Sequence, residues 1–524
     1  MNGLKNPVAR IDGRRLTLPG EPPTNRVKVS AIPDSFYARW RVECGVVTVL
    51  REDRDSPPER LLQAIWLHQR LLREQLKTLD GQVVRVLHPG FHNLEGGPDF
   101  RQALIQFDDA PASQGDIEVD LRPGGWRAHG HDRNPAFRNV VLHVVWERER
   151  PLAGAPPLLC LREVLDAPLG ELSLWLGGES AEAFPEELRG QCCAPLSSLA
   201  PKQLIDLLHQ AAYVRLRSKA ALFQARARQA GWEQSLWEGL FRALGYKNNV
   251  WAMQRLGELR PRWLAGCTRP QPLQARLLGL SGLLPGELTG TKPGTDRYLR
   301  SVWDQWWRER DEFSDIVLPQ GMWRLHGLRP ANHPQRRLAL AAGWSGGGSL
   351  TARLEEWCAN ELTGHQMCHS LLEAFQVEPD DFWSWHWTLR SARLKRQQPL
   401  LGATRVVDFA MNVVIPWLWI RAVEGKNQEV QNRLEQRYFN WPAAEDNSVL
   451  RLARERLLGG KDRRTLPGAA AQQGLIQMVR DFCDHSNSVC HQCKLPDLAR
   501  AAAAAAAAPR IPAPQTATAP VLNK

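Results

Sequence analysis

Four carboxylates fall within one short stretch, residues 97–122, which reads GPDFRQALIQFDDAPASQGDIEVDLR. Asp99 follows a Gly-Gly-Pro bend, and Asp116, Glu118 and Asp120 alternate with Ile117, Val119 and Leu121. Alternate residues of a strand share a face, so the pattern turns Asp116, Glu118, Asp120 and Arg122 one way and the aliphatic side chains toward a core. Antiparallel pairing of ALIQF with DIEVDLR brings the Asp99 carboxylate beside Glu118. Carboxylates that close repel unless a shared proton or a cation relieves them. A divalent cation such as Mg²⁺ or Mn²⁺ suits oxygen ligands, activates water and stabilises a phosphoryl transition state. The alternative is a solvated sheet face without chemistry.

Two imidazoles follow closely. His129 and His131 form an H-x-H pair after Trp126, and with Asp99 and Glu118 they offer a mixed imidazole and carboxylate donor set for Mn²⁺, Fe²⁺ or Zn²⁺. Equally, the pair could pack around Trp126 in a turn. His143 lies among Val140, Val141, Val144 and Val145 and reads as a core histidine. A second metal candidate is Cys483-x6-Cys490-x2-Cys493, with His485 and His491 beside it. A C-x2-C pair is half of a structural zinc site, and a remote fourth ligand such as Cys368 would suit an iron–sulfur cluster as well. Cys192-Cys193 reads as structural. Within GLRPANHPQRR at 327–337, Arg329, Asn332, Arg336 and Arg337 precede an Ala/Leu-rich helix. Arginines at a helix start oppose its dipole, so they suit contact with phosphate, pairing with the acidic sheet face, or simple solvation.

The elements that must position these groups follow from periodicity. Ser56-Pro57-Pro58-Glu59 has capping-box spacing, and Leu61, Leu62, Ile65, Trp66, Leu72, Leu76 and Leu79 continue at helical period to Asp80-Gly81. Strands are expected at QVVRVLH, ALIQF, DIEVDLR and NVVLHVVWE, with PPLLCLREV as a further one. The segment WRAHGHDRNPAF links the third to the buried fourth. Together they make a compact α/β core. From about residue 196 onward the pattern is helical, as in PKQLIDLLHQAAYVRLRSKAALFQARARQAG, WEQSLWEGLFRAL and SVLRLARERLLGG. Most of the 21 Trp are expected in the core of those helices.

At 524 residues the chain exceeds one compact core. The expected organisation is a flexible arm over 1–30, an α/β domain over 31–195, a helical domain with the cysteine cluster over 196–500, and a disordered Ala/Pro tail over 501–524. No apolar run approaches the ~20 residues of a membrane span, and the N-terminus lacks the apolar core of a signal peptide. The expectation is therefore a cytoplasmic chain without a membrane, its ten cysteines free or metal-bound rather than a disulfide framework. The net charge of +11 favours nucleic acid as a partner, although Arg-rich coding alone would produce it too.

The order helix, three strands, link, strand resembles the core of the PD-(D/E)XK nucleases. In that superfamily an Asp after Pro opens the second strand and a Glu-x-Lys sits on the third. Pro98-Asp99 and Glu118-Val119-Asp120 match those positions, and Glu59 matches the acidic residue many members carry on the first helix. The resemblance implies a restriction-endonuclease-like mixed sheet and a metal-dependent nuclease acting through Glu59, Asp99 and Glu118. It departs at the lysine, where Asp120 stands. Arg122, one step along, is a poor base because its pKa exceeds ~12. An inactive nuclease-fold protein that binds nucleic acid or assembles with partners is the other implication. The ordered motifs N93-x3-GPDF, GDIEV at 115–119, W126-x2-H129-x-H131, NVVLHVVWE at 139–147, GLRPANHPQRR and FCDHSNSVCHQC also resemble the bacterial family called domain of unknown function 2851, which implies no activity.

Overall fold

The computed structural model describes residues 35–507 except 48–49, 51–55, 94–95, 151–153, 177–193, 289–292, 363, 461–465 and 484–492. The expected arm, Cys192-Cys193, Cys490, His485, His491 and the tail beyond 507 lie outside the described residues.

The α/β unit is built on six strands, β1 (Val84–His88), β2 (Phe91–His92), β3 (Phe100–Phe107), β4 (Ser113–Asp120), β5 (Val140–Val145) and β6 (Leu158–Cys160). They lie in the order β1-β3-β4-β5-β6, with the short β2 beside β3. β1, β3 and β4 pair antiparallel, whereas β4, β5 and β6 pair parallel. Parallel neighbours need a crossover, and the link 121–139 supplies the first one. One face of the sheet, with Ile117, Val119, Leu142 and Val144, packs on Leu62, Ile65 and Trp66. These three belong to α2 (Glu59–Leu67), and all seven side chains are fully buried.

This helix is shorter than its periodicity predicts. It starts at Glu59 after Pro58, with no side-chain cap, so Ser56 does not form the expected capping box. It stops because Gln69 turns left-handed (φ 49°) and returns its Nε2 to the Trp66 carbonyl at 2.7 Å. Of the apolar positions expected to continue it, Leu76 is buried and Leu72 and Leu79 are half-buried, carried there by an irregular segment and a 3₁₀ turn at Arg73–Gln75. Burial pays attention to position and not to helicity, which is why the apolar spacing overstated the helix.

The described residues beyond the sheet are mostly helical, as expected. The 30-residue α5 (Pro201–Ala230), entered after α3 (Gly125–Ala128) and α4 (Leu169–Leu176), is followed by α6 (Trp232–Leu244), and helices continue to Leu495–Ala507. That last helix covers 501–507, so the Ala run continues a helix where the tail was expected to begin; alanine is the strongest helix former. Trp263, Trp344, Trp383, Trp417 and Trp441 are fully buried. Residues 36–43, expected with the sheet, form α1 (Phe36–Glu43) and pack instead with α5 and the helix Ala469–Phe482. The attachment is polar as well as apolar: the Tyr37 hydroxyl donates to Asp481 at 2.7 Å, and Arg41 Nε lies 2.9 Å from the same carboxylate.

One continuous helix, Ala403–Glu424, is long and apolar enough to cross a membrane (22 residues, mean hydropathy 1.5), and 72% of its most apolar window is buried inside the fold. This departs from the expectation that no apolar run approaches the length of a membrane span. Its apolar character is met by the core it crosses, where Phe409, Ile415 and Trp417 pack with α6 residues Trp237 and Phe241.

Candidate functional site

Asp99 is set by the bend before β3. Gly97 has φ 119°, a conformation open to glycine, and the Asn93 side chain donates to the Pro98 carbonyl at 2.9 Å. The Asp99 carboxylate then accepts the Val119 N–H at 2.9 Å through Oδ2 and the Gln63 amide at 2.9 Å through Oδ1. In return the Asp99 N–H donates to Glu118 Oε2 at 3.2 Å. Each carboxylate therefore grips the other's strand, and Asp99 and Glu118 are side by side as expected. Asp116 is used differently. β3 carries an extra residue opposite β4, Gln102 is left-handed there (φ 58°), and its N–H is held by Asp116 Oδ1 at 3.0 Å.

Across the parallel pair, Glu118 stands opposite His143, so Glu118, Asp120 and His143 share the face away from α2. Asp120 Oδ2 lies 2.9 Å from His143 Nε2, both buried. The crossover folds down over this face. His129 Nδ1 comes to 3.5 Å from Asp120 Oδ1 and His131 Nδ1 to 3.4 Å from Glu118 Oε1. His131 stacks on Phe137 at 3.9 Å and 9°, and Trp126 packs against His143 at 5.4 Å. A Cβ on Gly125 would lie 2.7 Å from Asp120 Oδ1, so only glycine lets the crossover approach that carboxylate. Gly125→Ala is expected to cost about 1–3 kcal/mol and to lower the melting temperature; an unchanged melting temperature would mean that Asp120 is not held as tightly as its contacts suggest.

The electrostatics reflect the crowding. Burial, reinforced by the Asp99 and Asp120 charges, pushes Glu118 up to about 9. Burial raises Asp99 to about 7 against the opposing Val119 N–H, with Glu59 and Asp120 adding to the rise. Glu59, exposed at the start of α2, is raised by desolvation and by Asp120. Burial lowers His131 against the opposing charge of Asp120. His131 Nδ1 and His143 Nδ1 are buried without a hydrogen-bond partner among the described residues. Asp120, His129 and His131 each offer a ligand atom, all within 4.8 Å of one another. The tightest donor set is therefore centred on Asp120, with Asp99 and Glu118 alongside. A group of this kind can hold a divalent cation or pass a proton between carboxyl and imidazole.

Other expected site residues lie elsewhere. Arg122 is exposed and pairs with Glu147 at 2.8 Å, turned away from the cluster. Arg336 and Arg337 are 1% and 2% exposed and donate to main-chain carbonyls, among them His386 at 2.9 Å, Pro399 at 2.8 Å and Leu400 at 2.7 Å. Asn332 accepts from Arg337 at 3.2 Å, and Arg329 is exposed. These guanidiniums organise the helical unit and do not meet the acidic face. Cys483 and Cys493 pack at the cluster that holds α1, whereas Cys368 packs against the main helical core and is not brought to them. Burial, then the Glu43 charge and in smaller part Cys493, raise the thiol of Cys44 at the end of α1; a lone cysteine far off in sequence gave no signal of this. One further member of the acidic site, Gln63, was overlooked, although it follows Glu59 by one helical turn, which is a readable spacing. His143, expected as a core histidine, is fully buried; its pairing with Asp120 was legible only once the parallel register was known.

A mixed-sheet α/β unit with a buried carboxylate and imidazole cluster, joined to a large helical unit, is the class that fold and site define. Residues 59–448 match the family described as Protein of unknown function (DUF2851), and the chain belongs to that family. The match begins at Glu59 and takes in every carboxylate and imidazole of the cluster, and it ends before the cysteine-bearing segment. No curated protein and no solved structure matches the chain.

Proposed function

We propose that the chain is a metal-dependent phosphodiesterase acting on nucleic acid, with Asp120, His129 and His131 holding the metal and Glu118 and Asp99 beside it. The observation that carries this reading is the gathering of those three donor atoms within 4.8 Å, next to two carboxyls whose affinity for protons burial and mutual repulsion raise. Imidazole donors favour Mn²⁺ over Mg²⁺. Bound there, such an ion would supply a nucleophilic water and neutralise developing charge on phosphate. The chain's own residues do the rest. His143 and Gly125 orient Asp120, and Phe137 fixes the ring plane of His131. Glu59, at the open side of the site, takes up and returns a proton. Arg60, Arg133 and Arg138, exposed on the elements that carry the site, suit contacts to a phosphate backbone.

The order of α2, β1 to β4, link and β5, with Pro98-Asp99 opening β3 and Glu118 on β4, further supports a nuclease-like ancestry. Asp120, where that chemistry uses lysine, favours the second reading, a nuclease-fold chain that binds nucleic acid without cutting it. Incubation of the purified chain with single- and double-stranded DNA and RNA separates the two. Cleavage is expected with Mn²⁺, weaker with Mg²⁺ and absent with EDTA. Asp120→Asn and His131→Ala should abolish it, and His143→Asn should slow it about 10–100-fold as the loss of an orienting partner. Absence of cleavage on every substrate, with salt-sensitive binding retained, would establish the second reading instead.

A further inference from the structure

A cavity of about 400 Å³ lies between the two units. Its floor is the segment 68–73 that follows α2, and its walls come from α5, α6 and the helix Ala403–Glu424. Seven Arg and Lys side chains line it against three carboxylates. Some of this charge is matched within the fold: Arg70 Nε holds Asp166 at 2.8 Å, Arg226 holds Glu238 at 2.8 Å, and Arg73 pairs with Glu258. What is left over is specific. Arg70 is 3% exposed, lines the cavity, and presents Nη1 and Nη2 without a hydrogen-bond partner among the described residues. A buried guanidinium edge with open donors is costly to leave unmade and matches phosphate oxygens in geometry and charge. The facing wall also carries a cation: Lys219 lines the cavity and donates to the Asn412 side chain.

The rest of the lining is apolar or aromatic, notably Phe223, Val413 and Tyr246. The Tyr246 ring lies 4.7 Å from the Arg405 guanidinium and 5.5 Å from that of Arg337, so the GLRPANHPQRR stretch braces this wall. The Tyr246 hydroxyl is buried without a partner among the described residues. Asn412 and Val413 belong to a π turn, Ala410–Val414, inside the otherwise α-helical 403–424. Such turns are rare and concentrate at functional sites; here the wider turn aims both residues at the cavity.

We infer that this cavity binds a nucleotide, its phosphates on Arg70 and Lys219 and its base against Phe223 and Tyr246. The volume falls within the usual range of small-molecule sites, about 300–1,000 Å³, and aromatic faces accept any base. The site is separate from the carboxylate cluster. The nine residues of α2 span roughly 14 Å between Glu59 at one and His68 at the other, so this inference does not depend on the proposed hydrolysis.

Calorimetric titration of the full chain tests it, in EDTA so that the carboxylate cluster cannot capture a metal–nucleotide complex. The probes are ATP, GTP, adenosine, inorganic pyrophosphate and a 5′-phosphorylated oligonucleotide. ATP or GTP is expected to saturate one site and to bind at least about tenfold more tightly than adenosine or pyrophosphate. Arg70→Gln and Lys219→Gln should each weaken it by at least about tenfold. Because Arg70→Gln deprives Asp166 of its partner, Lys219→Gln alone decides if that variant does not fold. The inference is overturned if neither nucleotide binds at about millimolar concentration, if pyrophosphate or the oligonucleotide binds as well as ATP and GTP, or if folded Lys219→Gln binds like the wild type.

Discussion

In EDTA, the protein is expected to lose about 2–3 kcal/mol of unfolding free energy between about pH 7 and 9. Glu118 stands at about 9 in the folded chain and Asp99 at about 7, both above their unfolded values. The folded state therefore retains protons that the unfolded chain has already released. Stability from these groups is complete below their unfolded pKa values and drains away as pH climbs through the folded ones. The histidines act oppositely: burial lowers His131 and takes His88 down to about 4, so folding gains as their unfolded forms deprotonate. That gain is finished by about pH 7, which isolates the carboxyl contribution above it. Urea unfolding in EDTA at three pH values measures the slope. Glu118→Gln should flatten it, and Mn²⁺ should reverse it by making ionised carboxylates favourable. A stability that holds level or rises from pH 7 to 9 in EDTA would contradict the buried, proton-holding cluster.

Asp481→Ala is expected to cost about 3–5 kcal/mol, the usual penalty for removing one partner of a buried ion pair. Asp481 is 1% exposed and Arg41 is 5% exposed. The carboxylate accepts from Tyr37 at 2.7 Å, from Arg41 at 3.2 Å and from Gln477 at 3.0 Å. Its loss strips the Arg41 guanidinium of this counter-charge and frees α1 from the helix Ala469–Phe482. Tyr37→Phe, which removes one hydrogen bond and keeps the ring, should cost about 1 kcal/mol. Denaturant unfolding gives both values, and hydrogen exchange across 36–43 reports whether α1 opens first. A cost under about 1 kcal/mol for Asp481→Ala would mean that apolar contacts of Tyr37 and Ala38 alone hold the helix.

Much of the architecture was legible in residue order because local patterns are enforced locally. QVVRVLH, ALIQF, DIEVD and NVVLHVV alternate or run apolar as strands must, and each became one. The helices beginning at Pro201, Trp232 and Ser448 follow from 3.6-residue spacing in the same way. Where expectation failed, backbone detail or a distant partner had decided. α2 ended early because Gln69 turns left-handed onto the Trp66 carbonyl, and Leu76 still reaches the core from irregular backbone. α1 joined the helical unit because its Tyr37 and Arg41 find Asp481, more than 400 positions away. The Ala403–Glu424 helix looked discontinuous as an apolar run, since its charged residues sit where the core does not reach.

The candidate site divides along the same line. The sequence by itself determined the acidic hairpin: strand alternation puts Glu118 and Asp120 on one face, and the Gly-Pro bend delivers Asp99 beside them. It also supplied His129 and His131 within reach. What it could not determine is which donors meet, because that depends on a parallel register and on how a crossover folds over a sheet. Only the tertiary structure set His143 against Asp120, brought Gly125 into contact with the same carboxylate, and turned Arg122 out to Glu147. It likewise drew Arg70 and Lys219, distant in sequence, into one cavity. Alternation and periodicity are properties of neighbours along the chain, whereas a site is made by neighbours across it, and those are chosen by the packing of the whole core.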